Sequence, residues 1–241
     1  VTYSYMKKIF LIIFSIFCSM SSGQETTLIL NKIEESNFNM DGIISDEEIQ
    51  GAKLLEILYE ETPSFNTVPS KKTIGYLTYS NKFLYVGIKA YRDNVVAPVT
   101  TRDNSAIWTG DLAGFAIDTY EDARNHLIII SNPSGSPFDA IRMPGRGFGS
   151  EFNININVNY DFSSKGRITD YGYEIEFIVP FSELPFPNGI RKLSSIGTFV
   201  FSLYNNSCSK NITGLGFLIE LLRRPLASLA FEGAITISPG I

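Results

Sequence analysis

The chain has one tryptophan, Trp108, and it stands directly before a Thr109-Gly110-Asp111 turn. An indole face stacks on the C–H face of a sugar ring, and its N–H bonds a hydroxyl. The same residue can instead cap the core at a strand end, and the sequence supports both readings. Asp111, Arg124, Asn125 and Asn132 carry carboxylate, guanidinium and amide groups able to engage paired hydroxyls. Asn132, in Asn-Pro-Ser-Gly, fits turn capping better. Tyr91, Tyr120 and Tyr160 offer further aromatic faces, with packing as the simpler role of each. Asn153, Asn155, Asn157 and Asn159 place four amides on one strand face, which reads as a solvated face. Asp41, Asp46, Glu47 and Glu48 have the oxygen atoms calcium prefers. They lack EF-hand spacing and suit a helix N-terminus without metal. No cofactor is expected, structural calcium being the one ion these residues could hold.

Catalytic patterns are hard to find. His126 is the only histidine and no Gly-x-Ser-x-Gly elbow accompanies it. Zinc needs more His or Cys than the chain has. Haem ligation by His126 with Met40 or Met143 has no Cys-x-x-Cys-His beside it. A glycosidase needs two carboxylates across a cleft, and nothing selects a pair among the many acidic residues. The chain is expected to bind rather than catalyse. Its net charge of −5 excludes a nucleic-acid partner, which demands a basic surface.

These residues need a scaffold, and the sequence predicts an all-β one. Residues 161–184 read as strand, turn, strand, then a stop at Ile-Val-Pro-Phe. Tyr173, Ile175, Phe177 and Val179 alternate with Glu174, Glu176 and Ile178, the pattern of a sheet with one buried face. Thr73–Tyr79 and Phe83–Tyr91 form a hairpin across Asn81-Lys82. Asp111–Tyr120 and Asn125–Ser131 are further strands, separated by the polar turn 121–124. Asn153–Tyr160 is the most regular strand, and residues 132–150, rich in Gly and Pro, are loop. Ser45 with Glu48 predicts a capping box opening a short helix, with Ile49, Ala52 and Leu54 or Leu55 inward. Ile196–Tyr204 is a last strand. Short strands joined by turns imply an immunoglobulin-like or jelly-roll antiparallel β-sandwich with short helical segments. The hydrophobic content of 44% is enough for its core.

Met6 is read as the start of a secretion signal. Lys7 and Lys8 form its charged region, residues 9–20 its apolar stretch, and Ser21-Ser22-Gly23 the cleavage site before Gln24. The apolar stretch is too short for a comfortable membrane span. Cleavage removes Cys18 and leaves Cys208 without an intrachain partner.

Five segments, in order, resemble the carbohydrate-binding module family 9-like domains. These are Met40-Asp41-Gly42 with Ser45-Asp46-Glu47; Leu84-Tyr85-Val86-Gly87; Trp108-Thr109-Gly110-Asp111 through Asp118-Thr119; Asn132-Pro133-Ser134-Gly135; and Gly172-Tyr173-Glu174-Ile175-Glu176 to Pro180-Phe181. The resemblance covers residues 38–190. It implies a β-sandwich that binds polysaccharide or oligosaccharide non-catalytically, possessing the family's acidic position beside tryptophan at Asp111. Sugar-binding members hold the ligand between two tryptophans, whereas this chain has Trp108 alone and Ile49 at the usual helix tryptophan. The subfamily it resembles precedes an outer-membrane β-barrel. That gives residues 1–23 as signal, 38–190 as module and 191–241 as a stub toward a barrel. The implied location is the periplasm or surface of a Gram-negative cell, with a role in carbohydrate catabolism. The alternative is an accessory domain that associates with a barrel and binds no sugar.

Overall fold

The structure, a computed structural model, describes residues 27–57, 68–119, 125–144, 152–184, 198–205 and 234–237. Twelve strands are described: β1 (Thr27–Leu30), β2 (Lys53–Glu56), β3 (Thr73–Tyr79), β4 (Phe83–Tyr91), β5 (Ala113–Asp118), β6 (His126–Ser131), β7 (Pro137–Pro144), β8 (Phe152–Asn155), β9 (Ser163–Ile168), β10 (Gly172–Pro180), β11 (Thr198–Asn205) and β12 (Ala234–Ile237). They form two sheets, ordered β2-β3-β4-β10-β9 and β1-β12-β11-β5-β6-β7-β8. Every pairing is antiparallel except β1 with β12. The predicted all-β sandwich is therefore the observed architecture, with two 3-10 helices, Glu35–Asn37 and Ser105–Thr109, as its short helical segments.

Alternation builds the interface between the sheets. Leu84, Val86, Ile88 and Ala90 of β4 lie beside Tyr173, Ile175, Phe177 and Val179 of β10. They face Ala113, Phe115 and Ile117 of β5 and Leu127 and Ile129 of β6. Phe115 and Phe177 meet edge to face across the layers at 5.3 Å. Each such side chain contributes about 1.5–3 kcal/mol by leaving water. The predicted hairpin is present, with Tyr79 opposite Leu84 and Thr73 opposite Ala90. Ser80 Oγ closes its turn by accepting from Lys82 N and Phe83 N.

The outer faces depart from a simple sandwich, because irregular chain covers both. Over the second sheet lie Val99, Ile107 and Leu112, packed on Ala116, Ile128, Ile130, Phe138 and Ala140. Over the first sheet runs a strap, residues 39–48. Glu174 and Glu176 are therefore 4% and 0% exposed, where the alternation predicted a solvent face. Their carboxylates accept the strap's backbone: Gly42 N to Glu176 Oε2 at 2.6 Å, and Ile44 N to Glu174 Oε2 at 2.7 Å. Gly42 has φ +88°, and a Cβ there would lie 3.0 Å from Gly166 O.

Other local expectations are corrected. The capping box exists, with Ser45 N bonded to Glu48 Oε2 and Glu48 N to Ser45 Oγ. It closes turns over 46–51 rather than a helix, and β2 follows with Leu55 buried and Leu54 out. Loop 132–150 contains β7, whose apolar residues pair with β6. The regular strand 153–160 ends at Asn155, because its Oδ1 accepts from Asn157 N at 2.9 Å and turns the chain. The last strand is found as β11, paired with β5. β1, β11 and β12 lie outside residues 38–190 and join the second sheet. The signal, the turn 121–124 and Cys208 fall outside the described residues.

Candidate functional site

Trp108 belongs to the 3-10 helix Ser105–Thr109, which Asn104 caps by accepting from Ala106 N at 3.0 Å. The tight turn aims Ile107 into the outer apolar layer and leaves Trp108 half-buried. The indole stands edge to face with Phe138 at 5.4 Å. The residue thus closes that layer and keeps part of its surface in solvent. Gly110 is required next, since a Cβ would meet Val96 O at 2.6 Å.

Asp111 is 2% exposed. Its Oδ1 lies 2.6 Å from Arg92 Nε, and its Oδ2 accepts from Val96 N at 2.7 Å. Asp111 N donates in turn to Val96 O. Both oxygens tie the segment at Arg92 and Val96 to the turn that follows Trp108, so the carboxylate is used within the fold rather than meeting solvent. Asn125 is exposed at the start of β6. Phe138, the neighbour of Trp108, is opposite Ile130 at the far end of that strand. Five residues separate the two positions, about 17 Å along the strand, so Trp108 and Asn125 do not share a site. Arg124 and Tyr120 lie outside the described residues. Asn132 is wholly buried and caps its turn. Oδ1 accepts from Ser134 N and Ser136 N, and Nδ2 donates to Val99 O. Tyr160 packs against the inner core.

Of the acidic residues 41–48, Glu48 is buried in its cap and Asp41 accepts from Ile43 N and Asn39 Nδ2. No group of three acidic, His or Cys side chains is placed to hold a metal among the described residues. His126 is buried opposite Arg142, itself 3% exposed. Met143 follows Arg142 along β7 and so faces the other side of the sheet from His126.

Two clusters form around Tyr160 and Tyr91, which the sequence offered as aromatic faces, with partners that it did not suggest. In the first, Arg102 Nη2 lies 2.6 Å from both Asp139 Oδ1 and Tyr160 O, while Tyr160 N donates to Asp139 Oδ2. Burial pushes the Asp139 carboxyl up, against the pull of Tyr160 N–H and Arg102. In the second, on the outer face of the first sheet, the strap ends and Tyr91 is 36% exposed. Its ring centroid is 5.0 Å from that of Tyr171 at a 32° tilt. The Tyr171 hydroxyl donates to Glu174 Oε1, and Lys89 Nζ lies 3.3 Å from the same oxygen. Lys89 Nζ also donates to Ile44 O at 3.0 Å and sits 5.8 Å from the Tyr76 ring centroid. The available signal was the outward register of Lys89 and Tyr91 on β4, next to Tyr171 and Glu174.

No family model matches the sequence, and no curated protein is significantly similar to it. Solved structures do match. A protein from Bacteroides uniformis ATCC 8492, described as a candidate carbohydrate-binding protein, superposes with a TM-score of 0.56 at 10% identity. The match covers 89% of this chain and 100% of that one. A family 9 carbohydrate-binding module from Caldicellulosiruptor kristjanssonii, in complex with glucose, gives 0.53 at 14% identity over 90% of this chain and 97% of that one. The module from that organism in complex with cellotriose gives the same score and identity over 90% and 95%. The chain has the β-sandwich fold of the family 9 carbohydrate-binding modules.

Proposed function

We propose that the chain is a non-catalytic saccharide-binding module, exported to the cell envelope. The observation that carries the reading is the shared fold, which spans nearly the whole of modules seen holding glucose and cellotriose. The half-open indole of Trp108, seated edge to face against Phe138, is a suitable stacking surface for a pyranose ring. The buried carboxylates of Asp111, Asp139, Glu174 and Glu176 all accept backbone N–H groups. That use suits scaffolding better than acid–base work on a glycosidic bond. Export rests on Lys7, Lys8 and the apolar stretch that follows. A place beside an outer-membrane barrel, and a part in carbohydrate catabolism, rest on the sequence resemblance.

The test is a glycan array of the full chain, followed by titration of any retained glycan with Trp108→Ala alongside. Since Trp108 is the only tryptophan, its emission reports ligand at this position and nowhere else. The expected result is binding that shifts the emission and weakens about tenfold in the variant. A folded chain that retains no glycan overturns the reading.

A further inference from the structure

The tyrosine cluster on the outer face of the first sheet has the makings of a second contact surface. Two lines of contact converge there. Tyr91 and Tyr171 form an open aromatic pair, and Glu174 and Lys89 form a charged pair against it, with Tyr171 bonded to the carboxylate. Tyr76 closes the far side over Lys89.

The polar groups are positioned rather than floating. Glu174 is 4% exposed and fixed by Ile44 N. Lys89 is held by Ile44 O and by Glu174. An ammonium has three donors, so one N–H of Lys89 remains for a ligand. The hydroxyls of Tyr76 and Tyr91 make no hydrogen bond among the described residues. A tilted aromatic face bordered by one fixed cation and two free hydroxyls matches a pyranose. Its C–H face lies on a ring and its equatorial hydroxyls take the polar atoms. A purely apolar partner would leave Lys89 and Glu174 desolvated without return. A strongly anionic partner would meet Glu174.

We propose that Tyr91, Tyr171 and Lys89, held in place by the buried Glu174, form a second saccharide-contact site on the outer face of the first sheet, separate from Trp108. This inference rests on the saccharide-binding reading and adds a location to it. The full chain is titrated with cellotriose, and with any glycan the array retains, by calorimetry. Tyr91→Ala, Tyr91→Phe and Trp108→Ala are run beside it, and tyrosine ring-proton shifts are followed by NMR.

Expected are about tenfold weaker binding in Tyr91→Ala, a smaller loss of about threefold in Tyr91→Phe, and ring shifts at Tyr91 and Tyr171 that persist in Trp108→Ala. Unchanged affinity in Tyr91→Ala, with all binding lost in Trp108→Ala, overturns the second site and leaves the saccharide reading intact. Loss of all response in the folded wild-type chain overturns both. If Tyr91→Ala does not fold, the wild-type ring shifts decide, and still resonances at saturating ligand overturn the site.

Discussion

Replacing Glu176 by glutamine should make the protein more stable at pH 8 and leave it nearly unchanged at pH 5. Glu176 is enclosed between β4, β10 and the strap. It accepts from Gly42 N and the Tyr85 hydroxyl, with the carboxylates of Glu48 and Asp41 nearby. Burial, foremost, pushes its carboxyl from 4.5 up to about 7, with Glu48 and Asp41 adding to the rise and its two hydrogen bonds opposing it. The unfolded chain releases this proton near 4.5 and the folded chain near 7. Between those values the folded state holds the extra proton, so stability falls as pH rises and levels off above 7. At about 1.4 kcal/mol per unit, the rise from 4.5 to about 7 corresponds to roughly 3–4 kcal/mol. Glutamine removes the titration yet keeps an oxygen for Gly42 N–H and an N–H for the Tyr85 oxygen. Urea unfolding of the full chain from pH 4.5 to 8.5 reads the difference. The two stability curves should meet at acid pH and separate through 7, with the variant above. Asp139, also raised by burial, slopes the same way in both proteins and cancels. Parallel curves, or a variant less stable at pH 8, would refute the reasoning.

Two further outcomes follow from close packing around the Asn132 turn. In Gly166→Ala a Cβ would fall 2.6 Å from Pro133 O and 2.7 Å from Gly135 N. Backbone must move, so thermal unfolding should show a loss of about 2–4 kcal/mol. Asn132→Ala strips the acceptor of Ser134 N and Ser136 N and the donor to Val99 O, all at a buried site. The same measurement should show about 2–4 kcal/mol lost, and less than 1 kcal/mol would mean that water replaces the amide.

Strands with one clean alternation were legible in the sequence, and those whose burial has a second cause were not. The β3–β4 hairpin and the inner face of β10 follow from period two. Glu174 and Glu176 look solvent-facing because alternation cannot anticipate a strap more than 120 residues away in sequence. β7 hides behind its prolines and the buried Asp139 and Arg142. Asn153–Tyr160 shows the reverse error: apolar alternation was sound, but the Asn155 side chain competes for the backbone and ends the strand. At the site, sequence order drew attention to Trp108 and Asp111 together. The structure gives one a half-open surface and the other a buried ion pair. The Tyr91–Tyr171 contact crosses two strands, so it depends on register, which composition does not carry.

The order of strands in the second sheet sets a timetable for synthesis. β11 and β12 enter between β1 and β5, yet they come after all the other described strands in the order of synthesis. β1 therefore waits about 200 residues for its parallel neighbour, which at roughly 5–20 residues per second is about 10–40 s. Through that interval β10 is already between β4 and β9, while β5 has β6 on one side and nothing on the other. An unpaired edge of that kind is a template for pairing with other chains. The newborn molecule is a sandwich with one layer still open, and its safest passage is one in which that edge is shielded until β11 arrives.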